Sequence, residues 1–238
     1  MKEVSVQDPD VLNICLGAFR NFPVVMVQFP EVFGLMAMPN MEGVEGLNRV
    51  KSRLPEKLYG SVIGDLGKFL NMITDAGLPG YLNSEADFHK LNKSIVRIRI
   101  EDSARSTSVC LNGTHQALLL HEGPVRDLFR KLELAFESIS DHSLFLGHAY
   151  SAPLCTSANI SGHPDGSITS LDTAREFGEK HGIPLLLRCS QQNTATEKGS
   201  YPVLSLEKSS IIIERNGPGL ADLISRFESG LFRYPADK

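Results

Sequence analysis

The chain has 238 residues, 42% of them hydrophobic and 22% charged, which is enough to bury one sizeable core. Its 24 Lys and Arg stand against 28 Asp and Glu, a formal net charge of −4. That balance argues against strong bulk attraction to nucleic acid, so any polyanion site has to be a local cluster of cations. No apolar run reaches bilayer length, and "MKEVSVQDPD" shows no basic start followed by an apolar stretch, so a cytoplasmic protein without membrane contact is expected. Cys15, Cys110, Cys155 and Cys189 are scattered, without zinc-type or CxxC spacing. They read as buried free thiols of a reducing compartment.

Residues 1–9 read as an N-terminal tail, 10–228 as a single domain and 229–238 as a C-terminal tail. Asp10 is placed to cap a helix over Val11 to Arg20. "PVVMVQF" and "VFGLMAM" read as two buried strands divided at Pro30. Val44, Leu47 and Val50 recur at helical spacing, which predicts a helix ending near Arg53, before Pro55. "KLYGSVIG" reads as a strand. "DLGKFLNMI" reads as a helix capped by Asp65 and closed by Gly77. Residues 77–94 are polar and turn-rich.

"SIVRIRI" alternates as a half-buried strand, and "QALLLH" is a further strand. "PVRDLFRKLELAF" is an amphipathic helix with Pro124 in its first turn. "SLDTAREFGEKHG" is a helix closed by Gly182, and "IPLLLRC" is a buried strand. "SQQNTATEKGS" reads as a mobile loop. "PVLSL" and "SIIIER" are strands, and "GLADLISRF" is a closing helix. Strands and helices mix without a strict βαβ rhythm, repeat or linker, so the expected fold is α+β, one mixed sheet covered by helices.

Three stretches carry candidate chemistry. "LCTSANISGHPDG" places Thr156, Ser157, Asn159, Ser161 and Gly162 at a strand end, with short donors that suit anion oxygens. The alternative is a turn whose hydroxyls satisfy their own backbone. "RVKSRLPEK" gathers Arg49, Lys51, Arg53 and Lys57, which could clamp a phosphate or carboxylate or could simply be a solvated helix end. Lys51 and Arg53 share a side only where the chain is extended. "IIIERNGPG" delivers Arg215 to a glycine-rich turn. His115 and His121 read as ordinary half-buried histidines. No GxSxG, Walker or HExxH motif is present.

In order and spacing these pieces resemble the YrdC-like family of threonylcarbamoyl-AMP synthases, over roughly residues 10 to 222. "VVMVQFPEVFGL", "KSRLPEKLYG", "PLCTSANISGHP" and "IIIERNGPG" carry the likeness, the Thr-Ser-Ala-Asn element most specifically. The resemblance implies a twisted mixed sheet with a concave basic cavity. It implies a reaction in which threonine, bicarbonate and ATP with Mg2+ give threonylcarbamoyl-AMP and pyrophosphate for tRNA modification, with no tightly bound metal. Lys51 and Arg53 would neutralise phosphate and carboxylate oxygens as the catalytic cations, while Ser157, Asn159, Ser161 and Arg215 would bind the nucleotide. A catalytically silent domain that binds nucleotide, double-stranded RNA or tRNA is the alternative it implies. The sequence departs from the family pattern at Pro30-Glu31-Val32-Phe33-Gly34-Leu35, where two threonines and a tyrosine hydroxyl are missing. It departs again at "LLLHEGP", which has no Arg, and at Ser200-Tyr201-Pro202-Val203, and the Pro-Gly-Pro-x-Thr segment is not found. The expectation is a site that keeps its phosphate-holding half and loses its threonine-holding half.

Overall fold

The computed structural model describes residues 1–52, 58–74, 77–159, 166–189 and 197–235. Twelve strands among them join one sheet: β1 (Lys2–Ser5), β2 (Val24–Gln28), β3 (Phe33–Ala37), β4 (Gly60–Val62), β5 (Ser94–Arg99), β6 (Cys110–Leu111), β7 (Thr114–Leu119), β8 (Leu154–Ser157), β9 (Leu185–Arg188), β10 (Val203–Leu206), β11 (Ile211–Arg215) and β12 (Phe232–Arg233). The order is β1-β9-β2-β3-β8-β4-β7-β5-β10-β11-β12, with β6 paired to β7. β1/β9, β2/β9, β4/β7, β5/β10 and β11/β12 are parallel and the other pairs antiparallel, so the sheet is mixed.

Both faces are covered, and the period of two divides each strand between them. Val24 and Met26 of β2 join one core; Val25 and Val27 join the other. α1 (Val11–Asn21) and α5 (Pro124–Ala135) bury Cys15, Phe19, Leu128 and Phe129 in the second core. α2 (Met41–Lys51), α3 (Leu66–Leu70), α4 (Glu85–His89), α6 (Leu171–Lys180) and α7 (Leu220–Ser225) pack on the first. No helix among the described residues is long and apolar enough to cross a membrane.

Local chemistry explains most helix starts. Asn40, Asp65, Ser84 and Ser170 each accept a backbone N–H of the first turn of α2, α3, α4 and α6. Asp10 does not cap α1; its carboxylate accepts from the Asn13 side-chain amide instead, at 2.6 Å. α3 stops at Leu70 and does not run to Gly77. The turn-rich stretch holds the short helix α4. The first and last segments are not tails: Lys2–Ser5 pairs in register with Leu185–Arg188, and Phe232–Arg233 pairs with Ile211–Ile212. Of the loop read at 190–200, residues 190–196 lie outside the described part.

Candidate functional site

Lys51 is the last residue of α2, whose Val44, Leu47 and Val50 are buried against the sheet. Ser52 follows in the left-handed region at φ 46° and ends the helix. Tyr59 donates to the Asn48 side chain at 2.7 Å and ties the helix to the approach of β4. Lys51 itself is only 3% exposed. Its ammonium donates to the Ser157 carbonyl oxygen at 2.6 Å and to Asn159 Oδ1 at 2.8 Å. The Ser157 hydroxyl also donates to Asn159 Oδ1, at 2.9 Å. The cationic stretch and the hydroxyl-rich stretch therefore meet directly. Ser157 and Asn159 hold the lysine in place with acceptor atoms.

Lys51, Ser157 and Asn159 border a hollow of about 480 Å³ over the sheet. Its floor follows the strand register. Leu118 of β7 lies opposite Ile95 of β5, Ile95 opposite Val203 of β10, and Val203 opposite Arg215 of β11. The next row pairs Gln116 with Arg97. Arg97 donates through Nε to Gln116 Oε1 at 3.3 Å and pairs through Nη1 with Glu214. Arg215 donates through Nη2 to the Tyr201 carbonyl oxygen at 2.8 Å. Burial, and then the neighbouring charge of Arg97, lower the Arg215 pKa from its usual range, yet a guanidinium stays protonated at any physiological pH. Glu214 already balances Arg97, so Arg215 is the cation of this pair without an acidic partner among the described residues.

The wall opposite is apolar. The Phe29 ring lies across β3: a Cβ on Gly34 would stand 2.2 Å from its Cε2 atom, so only glycine admits the ring there. Phe29 meets Tyr201 edge-on, with centroids 6.3 Å apart, and Val32 completes this side. Phe29, Val32, Leu118, Cys155 and Tyr201 belong to the core beneath α1 and α5 as well, so the hollow is an uncovered continuation of that core. The Tyr201 hydroxyl and Glu31 Oε2 are buried and meet no hydrogen-bond partner among the described residues. Burial, and next the charge of Glu31, push the Tyr201 pKa well above its ordinary value. Glu31 accepts from Lys93 at 2.7 Å, and its carbonyl accepts from Gly199.

A second polar cluster lies inside the core. Asn112 and Gly113, at φ 49° and 74°, turn β6 back on β7 and set Cys110 opposite His115. His115 Nδ1 lies 2.9 Å from the Val109 carbonyl oxygen, which can only accept, so Nδ1 carries the proton. Nε2 then accepts from the Ser61 hydroxyl at 2.9 Å. This is a nucleophile–base pair in geometry, but Ser61, His115, Cys110 and Tyr150 are all 0% exposed, so no substrate reaches it. Burial drives the His115 pKa down to about 4 and keeps the ring neutral. His115 and His121 are buried, not half-buried as their sequence context implied. His121 donates from Nε2 to the Phe88 carbonyl oxygen at 3.1 Å and stacks on His89.

Of the residues singled out from sequence, Lys51, Ser157, Asn159 and Arg215 border one hollow, joined there by Thr156. Arg53, Ser161 and Gly162 lie outside the described residues. Arg97 was missed, although the alternation of "SIVRIRI" places Ile95, Arg97 and Arg99 on one face. No group of three or more His, Cys, Asp or Glu among the described residues could hold a metal ion.

Neither a protein family nor a curated protein sequence matches the chain. Solved structures do. Sua5 of P. abyssi superposes with a TM-score of 0.64 at 15% identity, over 98% of this chain and 65% of that one. A second structure of it, complexed with L-threonine, gives 0.60 at 17%, over 94% and 58%. E. coli YciO gives 0.59 at 11%, over 90% and 93%. The chain has the YrdC-like fold of Sua5 and YciO. Full-length HypF, in a phosphate- and nucleotide-bound form, superposes as well: 0.57 at 17%, over 88% of this chain and 29% of that one. The chain spans about two-thirds or less of the two Sua5 chains.

Proposed function

We propose that this protein binds ATP in the hollow and performs a reaction of the threonylcarbamoyl-AMP synthase type. The observation that carries the reading is the hydrogen-bonded meeting of Lys51 with Ser157 and Asn159 at one end of a cavity whose other end holds Arg97 and Arg215. Three cations around one hollow suit a triphosphate and a carboxylate together. The reaction places little covalent demand on the protein. An amine adds to bicarbonate to give a carbamate and water. A carbamate oxygen then attacks the α-phosphorus, and pyrophosphate leaves. Lys51 would neutralise the phosphate oxygens, with Ser157 and Asn159 fixing its position. Magnesium would enter with the nucleotide; among the described residues the cavity lining holds no carboxylate. That Sua5 was solved with L-threonine and HypF with phosphate and nucleotide supports small-molecule and nucleotide partners for this fold.

The test is a melting curve with ATP–magnesium, followed by pyrophosphate release with ATP, bicarbonate and an amino acid. Binding to the native state raises the melting temperature, and Lys51→Ala removes that rise. A rise without pyrophosphate release, whatever the amino acid, would mark the protein as a nucleotide-binding domain without catalysis. No rise at all would defeat the nucleotide reading.

A further inference from the structure

The floor between the two cationic ends of the hollow is aliphatic. Leu118, Ile95 and Val203 form one continuous row across β7, β5 and β10, and the row ends at Arg215. Phe29 and Val32 line the same space. Most polar groups near this row are bonded to neighbours or buried. The Ser200 hydroxyl pairs with Ser167 at 2.5 Å. Gln116 accepts from Arg97. The Tyr201 hydroxyl is buried within the wall. Thr156 and Ser157 stand at the Lys51 end. By contrast, Nε and Nη1 of Arg215 meet no acceptor among the described residues, since its one hydrogen bond runs from Nη2. A guanidinium placed this way grips a carboxylate well.

We infer that the acid taken by this site is an amino acid with an aliphatic side chain, its carboxylate held by Arg215, beside the Glu214-paired Arg97, and its side chain laid on the Leu118–Ile95–Val203 row. The inference deepens the reading above and rests on it for the reaction, though the binding step can be measured alone. A hydroxylated amino acid such as threonine would press its hydroxyl against alkyl groups and lose its water without a new partner. A larger aliphatic side chain would instead cover the row and gain by burying apolar surface. Discrimination by one methylene or hydroxyl in an apolar pocket amounts to roughly ten- to a hundredfold.

The experiment is calorimetric titration of the full chain with L-leucine and with L-threonine, each alone and with ATP–magnesium. Leucine is expected to bind at least about tenfold more tightly than threonine. Arg215→Gln should weaken leucine binding about tenfold or more while the melting temperature holds. Ile95→Thr, on a half-exposed strand position, and Val32→Thr should each narrow the leucine-to-threonine ratio; two variants are used so that one which misfolds does not decide the matter. Threonine binding as tightly as leucine, or neither amino acid binding under either condition, overturns the inference. The ATP melting shift is read in parallel. Leucine binding without an ATP shift sinks only the nucleotide reading, and an ATP shift without leucine binding sinks only this one.

Discussion

Lys51 and Ser157 stand 106 residues apart in the chain, and a 2.6 Å hydrogen bond joins the ammonium of one to the carbonyl oxygen of the other. The bond fixes the end of α2 against the end of β8. It also holds a nearly buried charge against two acceptors, the Ser157 carbonyl oxygen and Asn159 Oδ1. Lys51→Met would leave the Ser157 carbonyl and the Asn159 side chain short of a donor. The expected loss is about 2 kcal/mol of stability, read from urea unfolding. Lys51→Arg should recover part of the stability, but less of the ATP-induced melting shift, because a planar guanidinium does not replace a compact ammonium at a tight corner.

Gly34 and Phe29 make a second mutual dependence. In Gly34→Ala the new methyl would overlap the Phe29 ring and approach the Thr156 carbonyl oxygen to 3.2 Å. The ring has to swing into the hollow, at a cost of roughly 1–3 kcal/mol. Thermal melts should show the loss, and ligand titration should show a narrower cavity.

Glu133 predicts an unusual dependence on pH. Its carboxylate accepts from the backbone N–H groups of Gly64 and Asp65, yet burial outweighs these bonds and raises its pKa to about 7. The folded state thus keeps the proton up to about pH 7, whereas the unfolded chain releases it near 4.5. Stability from this group is full below pH 4.5 and declines as pH rises through 7, by on the order of 3 kcal/mol at most. His115 and His121 act in the opposite sense. Their folded pKa values fall to about 4, so their contribution is full above pH 6.5 and is lost as pH drops toward 4. In melts from pH 5 to 8, Glu133→Gln should lose less stability toward the alkaline side than the parent. Equal slopes in the two proteins would refute the assignment.

The thiols predict slow chemistry. Cys15, Cys110 and Cys155 are buried, and burial raises each pKa to about 12. Thiolate is the reactive form, so alkylation of the native protein at pH 8 should be slow and should accelerate sharply in denaturant. Fast labelling of Cys155, which borders the hollow, would contradict the burial described for it.

The alternation and length of apolar runs made most of the sheet readable, because each strand must divide its side chains between two cores. The edges were not readable. Lys2–Ser5 and Phe232–Arg233 are short and polar, and only pairing with β9 and β11 makes them strands. In the same way, α3 and α4 are single turns of helix shaped by tertiary packing. Within the site, Lys51 stood out through its cationic run and Arg215 through its strand end. Arg97 carried the same kind of signal in "SIVRIRI", but nothing local said which face of β5 would meet the hollow. The Asn112-Gly113 pair is a hairpin-turn signal in the sequence, and it is what seats Cys110 against His115.

The hollow draws its lining from Phe29 near one end of the chain to Arg215 near the other, across strands that are mostly distant in sequence. Loops that large close slowly. Capacity to capture a ligand should therefore be the last property regained on refolding, later than the recovery of helical dichroism. The interval between the two signals would time the moment when the sheet finally closes ranks.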